Sequence, residues 1–362
     1  MDIDDPQPRA QAINRATMHY ETCLITGGTG TFGTAYIIKS IKEHWHKKVI
    51  VYSRDEYKQI KLFSFLKECF KEKSISLEAA PYSIKIGDTE IRFFIGDICD
   101  YERMCVATRK VDLVIHAAAL KHVPICEYNP MEATRTNITG TTNVVNACGI
   151  NNIKKLIALS TDKAVDPINT YGATKLCLEK VVLGGNRYYP ETIMSVVRYG
   201  NIIGSRGSII HKLFTHHGAN ISLTNPDMTR FWLTIEDAIS LVRKSLKYNY
   251  SEIPMICVPK LKALRLDKLF TFLRPDLEIE LIGPRVGEKT HEKMIAEEDL
   301  KKTVYDSEND CYVINMSSEN IPFGVPVDMS VYTSDAVAEF TKKEFINELE
   351  SSIIKDLYGD IT

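Results

Sequence analysis

No part of this chain constrains its fold more than the eight residues 26–33, TGGTGTFG. They follow a short β-rich run, ETCLIT, and lead straight into an amphipathic helical pattern, GTAYIIKSIKEH. Gly27, Gly30 and Gly33 form a G-x-x-G-x-x-G turn at that junction, with Thr29, Thr31 and Phe32 between them. Such a turn lets backbone N–H groups approach a pyrophosphate at a helix N-terminus, where the helix dipole favours anions. Between a strand and a helix the pattern reads as a dinucleotide site. Further along, KKVIVYS, IRFFIGD, VDLVIHAAA, IKKLIALS and TIMSVVRYGN read as strands, separated by helical spacings for some 200 residues. That alternation predicts an α/β fold: a Rossmann-like, doubly wound parallel sheet.

After Asn201 the rhythm breaks. The expected organisation is a flexible tail over 1–20 and a Rossmann domain over 21–200, to which 235–260 return. A smaller discontinuous substrate lobe takes 201–234 and 261–330, and a helical segment 331–362. The polar stretch 73–89 is expected to hold a hairpin or loop, and NPMEATRTNITGTTNVVNACGI to form one long helix from Pro130. The net charge of -2 comes without an extended basic block, so nothing points to nucleic acid. No apolar run has the length of a membrane span. The polar, acidic start is not a signal peptide. Nine cysteines without a C-x-x-C pair fit reduced thiols and a cytoplasmic setting. Neither His44-Trp-His46 nor His216-His217 has ligand-spaced companions, so no metal is expected.

The second strand ends in Ser53-Arg54, with Lys58 a turn later. A hydroxyl and two cations suit a 2′-phosphate, which favours NADP over NAD, although Asp55 could reach a ribose. Asp97, with Ile98 after it, follows the third strand and is placed for the adenine edge. Tyr171 and Lys175 sit four apart on a predicted helix and share a face. An ammonium and a nicotinamide cation near Tyr171 would lower its pKa and let it take an alcohol proton as hydride leaves. Thr161, ending the fifth strand, can hydrogen-bond the same alcohol.

Glycine turn, Thr161 and Tyr171–Lys175, in that order, resemble the extended short-chain dehydrogenase/reductase superfamily. The resemblance implies that Asn137 supports the site's hydrogen bonds and that Ala117, Ala118 and Ala119 lie beside the cofactor.

Asp162 and Lys163 are more than hydride transfer requires. Oxidising a sugar C4 hydroxyl to a ketone acidifies the neighbouring C5–H. A base can then remove that proton while an acid helps the C6 hydroxyl leave as water. Lys163 as base would need a lowered pKa, and Asp162 as acid a raised one. The alternative is a salt bridge between them, disfavoured because adjacent residues leaving a strand usually diverge.

With STDKAVDPINTYGATK, HAAALKHVPICEYNPMEATRTNITGT, RYGNIIGSRGS, MTRFWLT and VGEKTHEKMI, the chain resembles the inverting UDP-N-acetylglucosamine 4,6-dehydratases from about Thr22 to Ala296. The resemblance implies a lyase acting on UDP-N-acetylglucosamine and a homo-oligomer, dimer or hexamer. It implies substrate contacts from Lys121, His122, Asn201, Arg206, Thr224, Arg230, Arg285 and Glu288. A retaining dehydratase carries Asp-Glu at the doublet, and sugar 4-epimerases lack it. A catalytically dead NADP-binding sensor would not need intact Thr161, Tyr171 and Lys175.

Overall fold

The short apolar runs and the helical spacings between them fold as alternating strands and helices. A computed structural model of the protein describes residues 19–71, 77–249, 253–283, 285–317 and 321–352. The elements that build the site are β1 (Thr22–Thr26), α1 (Thr31–Lys42), β2 (Lys48–Ser53), β3 (Thr89–Ile95), β4 (Leu113–His116), β5 (Lys155–Thr161), α2 (Thr170–Tyr188), β6 (Ile193–Tyr199) and β7 (Met255–Pro259). The seven strands are parallel, in the spatial order β3-β2-β1-β4-β5-β6-β7. The order reverses between β1 and β4. A crevice opens there beyond the carboxyl ends of the strands, the usual ligand position in such sheets.

Helices cover both faces. One apolar layer joins Ile25, Val51 and Ile157 to Ala35, Ile38 and Ile239. The other joins Leu24, Val114 and Leu156 to Val144, Leu178 and Val182. Every residue of β5 is buried, as expected of a central strand covered on both sides.

Antiparallel strands finish both edges. Leu77–Ala80 and Ser83–Ile86 form a hairpin on β3, within the stretch expected to hold a hairpin or loop; residues 72–76 lie outside the described ones. On the other edge Cys311–Asn315 pairs with β7, and Thr303–Asp306 pairs with Cys311–Asn315. These two strands fall inside 261–330, which the sequence reading gave to the substrate lobe. They run back along the sheet with Val313 and Ile314 buried, and no crossover helix announces them in the sequence.

The lobe has a three-stranded sheet of Asn201–Ile202, Thr229–Leu233 and Lys262–Arg265, and a parallel pair, Asn220–Leu223 with Glu278–Leu281. Its own core includes Ile210, Leu213, Trp232, Phe270 and Phe345. Phe345 is fully buried and meets Trp232 edge-on at 5.7 Å. Burying such a ring contributes roughly 1.5–3 kcal/mol, which ties the C-terminal helix Lys342–Ser351 to the lobe. Residues 353–362 lie outside the described ones.

The expected tail over 1–20 lies outside the described residues up to 18. Tyr20 is already buried, and its carbonyl accepts from His46 Nδ1 at 2.6 Å. His46 Nε2 accepts in turn from the Tyr36 hydroxyl at 3.0 Å. The long helix expected from Pro130 is interrupted: Pro130–Thr134, a widened π turn Arg135–Thr139, then Gly140–Ile150. Among the described residues no helix is long and apolar enough to cross a membrane.

Candidate active site

The glycine turn is a cradle by necessity. Gly27 has φ +66°, and a Cβ there would stand 3.0 Å from the Ala118 backbone. At Gly33 a Cβ would lie 2.5 Å from Gly28, so α1 can pack this close to the turn only with glycine. Gly30 caps α1 without a side-chain hydrogen bond, so this end of the helix faces the crevice with backbone alone. Residues of this shape fit a dinucleotide pyrophosphate.

Opposite the turn, the segment after β4 is held by a directed chain of bonds. Ala118 N–H donates to Thr26 Oγ1 at 3.2 Å, and Thr26 Oγ1 lies 2.8 Å from His116 Nδ1. His116 Nε2 lies 2.9 Å from Thr141 Oγ1, which donates to the Asn137 carbonyl at 2.7 Å. Those outer donors assign the inner ones: Thr26 donates to Nδ1, and the Nε2–H donates to Thr141. Burial keeps His116 neutral and pushes its pKa down to about 3. Asn137, inside the π turn, accepts from Leu120 N–H at 2.8 Å and donates to the Leu120 carbonyl at 2.9 Å and Thr174 Oγ1 at 3.0 Å. It therefore pins the segment bearing Lys121 to α2.

At the ribose end, Ser53 accepts from Gln59 Nε2 at 3.0 Å. Arg54 meets Asp97 at 3.3 Å and Lys58 meets Asp55 at 3.2 Å, both exposed ion pairs. Burial raises the Asp97 pKa, but the Cys99 backbone N–H and Arg54 outweigh it and hold the carboxylate below its usual range.

The reactive end lies where β5 ends and α2 begins. Asp162–Ala164 forms a single 3₁₀ turn after Thr161, and Asn169 caps α2 by accepting from Gly172 N–H at 2.7 Å. That turn folds residues 162 and 163 back on each other. Lys163 Nζ meets Asp162 Oδ1 at 3.0 Å, so the doublet is the salt bridge that strand geometry seemed to disfavour. Thr161 donates to the same oxygen at 2.9 Å, and its hydroxyl favours the phenolate of Tyr171. On its other side Lys163 Nζ faces Glu292 Oε1 at 3.4 Å, and Glu292 faces Arg230 Nε at 3.7 Å. Thr161, Asp162, Lys163, Glu292 and Arg230 thus form one continuous line of polar contacts, with Tyr171 lining the same cleft.

Electrostatics corrects two expectations. Burial disfavours the Lys163 ammonium, but Asp162 and Glu292 outweigh it, so its pKa is raised rather than lowered. Burial pushes Tyr171 up to about 12, and the opposing cation is Lys163 rather than Lys175. Lys175 donates to the Leu159 carbonyl, and burial lowers its pKa to about 8. Behind it Glu179 accepts from Ser160 at 2.6 Å and from Arg198 at 3.0 and 2.7 Å, all buried.

A cleft of about 810 Å³ runs from the glycine turn to the lobe. It brings together Gly27, Ser53, Arg54, Lys58, Asp97 and Ala118 at one end with Thr161, Lys163, Tyr171 and Lys175 in the middle. Lys121, His122, Asn201, Arg206, Thr224, Arg230, Arg285 and Glu288 line the lobe side. Asp162 does not reach the wall: it is fully buried, with Oδ2 unpartnered. Asn137 is buried behind the wall. Arg230 lines the cleft but donates to the Thr229 and Thr290 carbonyls at 2.7 and 3.1 Å, so its guanidinium is largely committed to the protein. Lys121 Nζ donates to the Arg206 carbonyl at 3.1 Å, Thr224 to Met228 Sδ at 3.4 Å, and Arg285 N–H to Glu288 at 3.4 Å.

Sequence reasoning missed Glu292 and Lys289. Both sit in VGEKTHEKMI, more than 120 positions after the doublet; that stretch helps carry the resemblance, but nothing local in it gives either residue a role. It also missed Glu179, one helical turn after Lys175, whose i,i+4 spacing was a usable signal.

The chain matches the family described as polysaccharide biosynthesis protein over residues 23–314. It is 43% identical over 292 residues, spanning 79% of this chain and 80% of the relative, to a protein of Campylobacter jejuni subsp. jejuni serotype O:23/36 (strain 81-176) named UDP-N-acetylglucosamine 4,6-dehydratase (inverting). It is 37% identical over 294 residues, spanning 78% of this chain and 80% of the relative, to a Rickettsia prowazekii (strain Madrid E) protein named UDP-glucose 4-epimerase. Among solved structures, that of Pen from Bacillus thuringiensis superposes with TM-score 0.77 at 32% identity, covering 90% of this chain and 96% of that one.

Proposed function

This chain belongs to the polysaccharide biosynthesis protein family, and on that premise we propose that it is an NADP-dependent lyase. Its reaction converts UDP-N-acetylglucosamine to UDP-2-acetamido-2,6-dideoxy-L-arabino-hex-4-ulose, by 4,6-dehydration with inversion at C5. The observation that carries the reading is the Asp162–Lys163 pair, 3.0 Å apart and bonded to Thr161, in a cleft shared with Tyr171 and the glycine cradle.

The dinucleotide would be held by Gly27, Gly30 and Gly33, with Ala118 opposite and Ser53, Arg54 and Lys58 at the ribose end. Exposed ion pairs such as Arg54–Asp97 contribute only about 0.2–1 kcal/mol, so a 2′-phosphate can draw both cations from their carboxylates. When bound in oxidised form, the nicotinamide supplies a hydride acceptor and a ring charge that favours the Tyr171 phenolate.

Tyr171 takes the proton of the C4 hydroxyl as the C4–H bond gives up its hydride, and the ketone so formed acidifies C5. The ion pair already contains the acid and base of the next step. One proton moved from Lys163 Nζ to Asp162 along their hydrogen bond turns ammonium and carboxylate into amine and carboxylic acid. The amine removes the C5 proton, the C5–C6 double bond forms and the C6–O bond breaks. The acid's proton leaves with O6 as water, relayed by the Thr161 hydroxyl, which lines the cleft while Asp162 does not. Ammonium and carboxylate remain, as at the start; return of the C4 hydride to C6 and addition of one proton to C5, on the face opposite the one deprotonated, would complete the L-arabino ketone and balance the proton taken up by Tyr171.

An epimerase reading is favoured by the 37% relative, but 4-epimerisation uses Tyr171 and has no task for the doublet. Incubation with UDP-N-acetylglucosamine and NADP in D2O, followed by NMR, tests the proposal. Inversion gives the L-arabino 4-keto product with deuterium at C5. A D-xylo product means retention, a galacto-configured product without deuterium means epimerisation, and either overturns it.

A further inference from the structure

The segment 287–293 is laid along the loop that carries the doublet, and the two meet four times. The Gly287 carbonyl accepts from Asn169 Nδ2 at 2.8 Å, and Lys289 Nζ donates to the Val165 carbonyl at 2.5 Å. Lys293 pairs with Asp166 at 2.7 Å and Glu292 with Lys163 at 3.4 Å. Three of these contacts hold the loop in place. The fourth is different, because Glu292 is buried, touches Lys163 itself, and keeps its other oxygen without a partner.

The charges around Lys163 come from every element packed on it. Asp162 precedes it, Tyr171 faces it from α2, and Arg230 approaches from Thr229–Leu233. Lys289 lies nearby on the 287–293 segment, and Arg198 on β6 stands behind Asp162. Asp162 alone would have to offset Lys163 while Arg230 repels it. Glu292, 3.7 Å from Arg230 Nε, cancels that repulsion and adds attraction of its own.

We propose that Glu292 is a positioning residue of the dehydration step: it holds Lys163 Nζ between two carboxylates, so that the Asp162–Lys163 pair keeps its one shared proton up to high pH. This rests on the reading above, in which that single proton is what makes the pair an acid and a base at once. Burial opposes the ammonium, and Asp162 and Glu292 hold its pKa above the ordinary lysine value. The sign follows. The active form exists below the Lys163 pKa and is lost as pH rises through it; removing the Glu292 charge lowers that pKa and brings the loss to lower pH.

The test is the pH profile of kcat for Glu292→Gln, with circular dichroism confirming a folded protein at each pH. The alkaline limb is expected to move down by about one to three pH units, with KM for UDP-N-acetylglucosamine unchanged. Glu292→Asp keeps the charge but withdraws it, and is expected to move the limb the same way by less; it decides the matter if the Gln variant does not fold. A limb coincident with the wild type in the folded variants, whatever happens to the overall rate, overturns the inference. Wild-type turnover separates the two failures. If the wild type does not dehydrate the sugar, the functional reading fails; if it does and the limbs coincide, only the role of Glu292 fails.

Discussion

The two ends of the cleft are held by different forces. At the glycine turn the wall is backbone: Gly27 and Gly33 leave no room for a Cβ, and the charges at Arg54, Lys58, Asp55 and Asp97 sit in exposed pairs. At the end of β5 the wall is charge. Asp162, Glu179, Arg198, Arg230 and Glu292 are all buried, and each is answered by an opposite charge. The first end is specified by shape and should tolerate changes of charge. The second is specified by charge and should not tolerate even isosteric changes. Binding a dinucleotide needs room for a long anion, whereas dehydration needs protons held at fixed atoms.

The contrast can be broken where it predicts most. Glu179→Gln keeps the shape but leaves Arg198 buried beside a neutral amide. Breaking a buried pair from one side typically costs about 3–5 kcal/mol, and a urea denaturation curve measures it. No loss would mean that the charged end is held by packing after all. Gly33→Ala probes the other end. Its methyl group would stand 2.5 Å from Gly28, and overpacking of this kind costs about 1–3 kcal/mol. The melting temperature should fall, and dinucleotide affinity by fluorescence titration with it; an unchanged affinity would show that the turn has slack. Arg54→Ala should matter least. Stability should change by only about 0.2–1 kcal/mol, while NADP binding weakens and NAD binding holds. Equal weakening of both would remove the 2′-phosphate argument.

The same division explains what the sequence made legible. Period and punctuation mark a wall of backbone: β1, the glycine turn and α1 are consecutive, and their physics is local. The six strands read from apolar runs are the first six of the parallel core, and the seventh, β7, lies in the part expected to return to it. The charged end is assembled from distant segments. Nothing in STDKAVDPINTYGATK says that the 3₁₀ turn at Asp162–Ala164 brings the two side chains together instead of letting them diverge. Nothing there says that Glu292 completes the set from a segment in the lobe. As the acid of the elimination Asp162 is expected to face the sugar, yet it is fully buried and Thr161 lines the cleft in its place. Strands Thr303–Asp306 and Cys311–Asn315 escaped for a related reason: the antiparallel ladder on β7 leaves no trace of a crossover in the chain.

The widened turn at Arg135–Thr139, closed by a bond from Gly140 N–H to the Arg135 carbonyl, acts as a phase corrector between two helices. It stores one more residue than an α-helical turn, and each residue is worth roughly 100° of rotation. Deleting one residue there would fuse Pro130–Thr134 and Gly140–Ile150 into a single straight rod and swing one half around its axis. Asn137 would then point away from Leu120 and Thr174, so a change that regularises the helix would unmoor the wall beside it.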